Sequence, residues 1–168
     1  MCRFDHVEQM MGAYSMKKWI AIGLVALALT GCENKRGAFF ETVVSENRLP
    51  VAVEKLLNAI KKRDMVYFTT IDHAANAQKA GIALKPETVV IFGNPKIDTQ
   101  LMACNPSMGL DLPMRMLFTT DYEGQTRITY TNPEYWTLKH NIKDKKCLGM
   151  IKNIHIMLQE LAEDAAKK

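Results

Sequence analysis

"VVIFGNPK", residues 89–96, decides how the rest of the chain is read. Four large apolar residues in a row, with no polar alternation, describe a strand covered on both faces. Gly93, Asn94 and Pro95 follow it. A glycine closing a buried strand suits a phosphate cradle, and it equally suits a hinge into a helix. The phosphate reading fails on three counts. There is one glycine and not several, no Lys-Ser/Thr pair follows, and Pro95 lacks the N–H an anion would need. Asn94 fits instead as a helix N-cap, with Pro95 at the first helical position. The stretch is a hinge.

Working outward from it, "DHAANAQKAG" (72–81) reads as a short helix capped by Asp72 and stopped by Gly81, and "MVYFTTI" (65–71) as the strand before it. Further upstream Val53, Leu56, Leu57 and Ile60 fall on one helical face, with Pro50 in the first turn and Lys61, Lys62 and Arg63 at the negative end of the dipole. "FFETVV" (39–44) is a first strand. Downstream, the helix after Asn94 ends around "CNP" (104–106). "LPMRMLFTT" and "QTRITYT" then form a hairpin about a glycine-containing turn, with Met114, Met116 and Phe118 sharing one face and Ile128 and Tyr130 another. Asn132-Pro133 repeats the cap-plus-proline device. A lysine-rich loop with "KDKK" (143–146) leads to a last helix, Met150–Ala166, striped by Ile151, Ile154, Leu158, Leu161 and Ala165.

The predicted architecture is α+β: a five-stranded, mostly antiparallel sheet with two long helices on one face, in the order strand, helix, four strands, helix. The other sheet face must meet water, a partner or a ligand. Because residues 89–92 are apolar toward both faces, that surface is expected to be only partly wet. It points to a homodimer or a shallow apolar binding surface.

The N-terminus carries a separate signal. From Met16 the chain reads "MKKWIAIGLVALALTGCEN". Two lysines precede an uncharged run far shorter than the about 20 residues that span a bilayer, and small residues close it, as in a secretory signal. "LTGC" (29–32) resembles a bacterial lipobox, which implies a diacylglyceryl thioether on Cys32 and cleavage before it. Residues 1–31 are thus expected to be a signal segment that is removed, with Met16 as the true start, since Asp5 and Glu8 suit a signal n-region poorly. Residues 32–38 form a lipidated tether, and 39–168 a single domain. Residue 33 is Glu and not Asp, which favours the outer membrane, facing the periplasm, as the destination. The partner expected at this end is the membrane, through the lipid.

Composition narrows the function classes. The 168 residues hold 22 Lys and Arg against 18 Asp and Glu, a formal net charge of +4. So small an excess, spread along the chain, is no nucleic-acid footprint. Cys104 and Cys147 lack C-x-x-C spacing, so neither a zinc site nor a thioredoxin-type centre is indicated. In an oxidising compartment the two are candidates for a disulfide with each other.

With "IDHAANAQKAGIALKPETVVIFGNPK", "GLDLPMRMLF" and "YEGQTRITYTNP" in view, residues 39 to about 140 resemble the domain of unknown function 302 family. The matching positions are Asp72, His73, Ala74, Ala77, Phe92, Gly93, Asn94, Pro95, Leu112, Pro113 and Gly124. The resemblance implies the strand–helix–four-strand–helix fold, similar in topology to the TATA-binding-protein-like group, and implies no activity. One departure is Asp64, at the end of the first long helix, where the family usually has glycine. That cap is expected to be strained or solvent-bridged.

The chemical candidates are few. His73 sits at a strand-to-helix turn beside Asp72, where it would serve as a general base or, more plainly, as a histidine hydrogen-bonded to the "GNP" backbone. His73 and Asn94 are the residues expected to line any pocket. Cys104 as a nucleophile has no base near it in sequence. The methionines of "LMACNPSMGLDLPMRM" (101–116) are soft ligands of the kind Cu(I) takes, but Met114 and Met116 are spaced as one face of a strand and read as core. No metal and no cofactor is assigned. The function expected is a non-catalytic, lipid-anchored envelope protein that binds a partner or small ligand. The alternative is an envelope enzyme, hydrolytic or thiol-dependent, using His73 with Asn94 or Cys104.

Overall fold

A computed structural model describes residues 39–168. The expected signal segment (1–31), Cys32 and the expected tether (32–38) lie outside the described residues. Five strands run as β1 (Phe40–Ser45), β2 (Val66–Asp72), β3 (Glu87–Gly93), β4 (Met114–Thr120) and β5 (Thr126–Thr131). Their order across the sheet is β1-β5-β4-β3-β2, antiparallel at every pairing. The helices are α1 (Leu49–Lys62), α2 (His73–Lys79), α3 (Pro95–Cys104), α4 (Glu134–Lys139) and α5 (Lys145–Ala166), with a 3-10 turn at Pro106–Leu110. The α+β architecture and its element order agree with the expectation from the sequence.

The period-2 pattern of the hairpin decides which face is covered. Met114, Met116 and Phe118 of β4 and Ile128 and Tyr130 of β5 are buried, and so are Val90 and Phe92 of β3. Ala52, Leu56 and Ile60 of α1 and Ile151, Ile154, Leu158 and Leu161 of α5 are buried in the same core cluster. Each large side chain so removed from water stabilises the fold by about 1.5–3 kcal/mol before entropy is counted. Met114 and Met116 are therefore core residues, as their spacing indicated.

The last helix begins five residues earlier than its apolar stripe suggests. Asp144 is its N-cap, accepting from the Cys147 amide at 3.0 Å, so most of the lysine-rich "KDKK" segment is its cap and first turn and not a loop. At the far end, the Asn47 side-chain amide donates to the carbonyls of Ala165, Ala166 and Lys167. This satisfies acceptors that a helix C-terminus leaves open. Asn94 caps α3 as expected, its Oδ1 accepting from Lys96 and Ile97 amides at 3.1 and 3.3 Å. Asp72 caps α2, accepting from Ala75 at 2.8 Å. Asp64 has φ +52°, the left-handed conformation that glycine takes without steric cost.

The opposite sheet face is uncovered. Across its middle run Thr42, Thr129, Leu117, Val89 and Ile71, each paired with the next. The apolar half of this row is half-buried by its neighbours alone, while Arg115 and Arg127 on the same face are exposed. Among the described residues, no helix is long and apolar enough to cross a membrane.

Candidate ligand-binding site

Gly93 has a role that neither the phosphate reading nor the hinge reading anticipates. Asn94 starts α3 so tightly after β3 that Asp98, one turn into the helix, folds its carboxylate back over the strand end. A Cβ on Gly93 would lie 2.5 Å from Asp98 Oδ2 and 3.4 Å from Pro113 Cβ. The glycine is the space in which the carboxylate sits. Asp98 is 5% exposed, and its Oδ1 is buried with no hydrogen-bond partner. Burial pushes its carboxyl up from 3.8 to about 6, a rise that a backbone hydrogen bond from Asn94 only partly offsets.

A cleft of about 300 Å³ opens beside this carboxyl, between α3, α5 and the end of α1. Its wall is apolar: Met65, Ile97, Met114, Ile154 and Met157, with Asn94 and Arg63 as the other polar contributors. Arg63 is already engaged, donating to Glu160 at 2.6 Å and Asp164 at 3.1 Å on α5. An apolar cleft with one buried, unsatisfied polar atom is the usual form of a small-molecule site. A wider groove, about 520 Å³, lies at the other end of the sheet beside α2. Its Asp72 carboxylate is already used as a helix cap, and Ile82 and Leu84 on its wall are exposed, so it presents no unsatisfied buried group.

The residues singled out from sequence do not converge. Asp72 pairs with Thr88 and Val66 with Gly93, so His73 and Asn94 lie at opposite ends of the β2–β3 pair, about 20 Å apart at the rise of a strand. The shared pocket expected for them does not form, and His73 cannot reach the "GNP" backbone. The reason is the antiparallel register: both residues follow a strand's C-terminal end, and antiparallel neighbours end on opposite sides. Asn94 lines the cleft; His73 is half-buried at the start of α2. Cys104 and Cys147 are joined in a disulfide, with Cα atoms 6.5 Å apart, so Cys104 offers no thiolate and the thiol-dependent arrangement is corrected.

Sequence reasoning missed Asp98, whose only linear signal was an acidic residue in the first turn of a predicted helix. It also missed a second constellation. His140 Nε2 donates to Asp111 Oδ2 at 2.5 Å, and His140 Nδ1 lies 2.7 Å from Ser107 Oγ. Asp111 also accepts from Lys139 at 2.9 Å. Burial acts to raise the Asp111 carboxyl, and its bonds to Lys139 and His140 outweigh that and hold it below the ordinary value. These are the residue types of a hydrolytic triad, but here they close on themselves. Ser107 Oγ is also 2.9 Å from Asn105 Oδ1, and Asn105 donates to the His140 carbonyl at 2.8 Å. The ring fastens the 3-10 turn to the end of α4. A third network, Tyr130 and His155 both donating to Glu41 at 2.6 Å, ties β5 and α5 to β1 in the same closed manner. Of the three, Asp98 alone has an oxygen left without a partner.

Comparison with known proteins gives the fold and the family. The fluoride-specific ion channel FluC 1 of Brucella suis biovar 1 (strain 1330) is 36% identical over 101 residues, 60% of this chain and 40% of that protein. FluC 2 of Brucella melitensis biotype 1 is also 36% identical over 101 residues, 37% of its length. The chain thus spans about two fifths of these curated relatives, and their channel activity is said of them alone. The crystal structure of an uncharacterised conserved DUF302 protein from Bacillus stearothermophilus is similar with a TM-score of 0.69 at 18% identity, over 77% of this chain and 99% of that one. The family model for the domain of unknown function DUF302 matches residues 41–164. The chain belongs to the DUF302 family.

Proposed function

We propose that this protein is a lipid-anchored component of the bacterial cell envelope whose DUF302 domain binds a small ligand in the Asp98 cleft without transforming it. The observation that carries the binding reading is the buried, unpartnered oxygen of Asp98, a residue that lines an apolar-walled cleft. A polar atom so placed costs about 1–3 kcal/mol unless something hydrogen-bonds to it. A ligand would remove that cost. The "LTGC" lipobox supports the anchor at Cys32 and an outer-membrane, periplasm-facing location.

Two measurements test the two halves. Mass spectrometry of the N-terminal peptide from a membrane fraction should find Cys32 acylated; an intact, unmodified leader in the cytosol ends the anchor. Titrating methionine-methyl-labelled protein with benzyl alcohol, a small apolar probe, should shift the methyl resonances of Met65, Met114 and Met157. Resonances unmoved up to the solubility limit would remove the ligand cleft.

Two specific features favour other readings. Ser107, His140 and Asp111 are the residue types a hydrolase would use in place of the His73-based arrangement if their closed ring opened, and labelling by a serine-reactive fluorophosphonate, lost in Ser107→Ala, would establish it. The row Ile71–Val89–Leu117 on the open sheet face favours a homodimer through that face. Sedimentation of the wild type beside Leu117→Lys decides whether two copies pair there.

A further inference from the structure

We propose that the ligand of the Asp98 cleft is a small organic cation, a protonated amine on a compact apolar body. The inference rests on the binding reading above and adds the chemical class. Three observations carry it.

The first is the charge balance. Among the described residues lining the cleft, Asp98 and Arg63 are the charged ones. Arg63 is bonded to Glu160 and Asp164 across the α1–α5 contact, so the one guanidinium on the wall is already shared by two carboxylates. An anion entering there finds its only cation already paired. A cation finds Asp98 unpaired.

The second is what Asp98 lacks. Its Oδ1 accepts no hydrogen bond. A single donor placed at Oδ1 completes the group, and an ammonium N–H does so with charge as well as a hydrogen bond. The third is the wall. Met65, Met114 and Met157 are thioethers on flexible stems, and with Ile97 and Ile154 they form the apolar wall of the cleft that Asp98 also lines. Such surfaces adapt to a hydrocarbon or aromatic body, and polarisable sulfur favours an aromatic ring. A strongly hydrated inorganic cation would need several oxygen ligands, and this cleft offers one carboxylate and one amide side chain.

The test compares benzylamine with benzyl alcohol, nearly the same shape with and without the charge, by the methionine-methyl shifts of the full-length protein. At about pH 7.5, benzylamine is expected to bind at least about tenfold more tightly, the value of a hydrogen bond to a charged group over a neutral one. The preference should vanish in Asp98→Asn, which keeps the shape and loses the charge. Towards about pH 5 it should shrink as the Asp98 carboxyl takes up a proton, since benzylamine itself stays charged throughout. Equal affinity of the two probes in the wild type overturns the cation assignment and leaves the cleft. Failure of both to move the methyl signals removes the cleft itself. Should Asp98→Asn not fold, benzylamine binding that is flat across this pH range overturns the assignment unaided.

Discussion

The Cβ that Gly93 lacks would fall 2.5 Å from the Asp98 carboxylate, so the end of β3 and the first turn of α3 are fitted to each other. Gly93→Ala must push Asp98 aside, and Asp98 is 95% buried with Pro113 close behind the glycine. The expected cost is about 1–3 kcal/mol, as for overpacking elsewhere in cores. Urea unfolding of Gly93→Ala, Asp98→Ala and the double variant checks it. The double variant should be more stable than the two single effects summed, because removing the carboxylate frees the space.

Asp98 also makes stability depend on pH. Its folded value, about 6, lies above the unfolded 3.8. The stability it contributes is therefore fully present below 3.8 and is lost as pH rises through about 6, because the folded state then holds a desolvated anion. Melting temperatures of the ligand-free protein between about pH 4 and 7 should fall less steeply in Asp98→Asn than in the wild type. Parallel profiles would show that the carboxyl titrates normally.

The Cys104–Cys147 bridge links positions 43 residues apart, tying α3 to the first turn of α5. Closing a loop of that length restricts the unfolded chain, and its loss is expected to cost about 2–4 kcal/mol. Cys104→Ala/Cys147→Ala should unfold at correspondingly lower urea. The oxidised wild type should give no thiol signal from these two positions under denaturing conditions.

Asp64 pays for its left-handed backbone at the end of α1. Asp64→Gly should raise stability by about 0.5 kcal/mol, the steric relief at positive φ being partly offset by a more flexible unfolded chain. A higher urea midpoint with an unchanged slope is the expected result.

His140 is the opposite case. Its side chain is 2% exposed and holds both Asp111 and Ser107. His140→Ala would leave a buried carboxylate short of a partner, and about 2–4 kcal/mol of stability should go with it. Lys139→Ala, which removes the more exposed partner of the same aspartate, should cost under about 1 kcal/mol. Equal losses in the two variants would contradict the division between a buried lock and a surface pair.

The frame of the fold is legible in the linear pattern. The unbroken apolar run at 89–92, the alternation of Met114, Met116 and Phe118, and the stripes of α1 and α5 each write burial in a period that only one element type can satisfy. Caps at Asp72 and Asn94 were equally legible, because a cap is a local hydrogen bond between near neighbours. Which distant groups meet is set by the packing of the folded chain. The antiparallel register carried His73 away from Asn94. The return of α3 onto the strand end buried Asp98 against Gly93, and the fold of the 3-10 turn against α4 brought Ser107, Asp111 and His140 together. No period marks such pairs, since a side chain's neighbours across a fold depend on register, helix tilt and turn length, which a linear pattern does not encode.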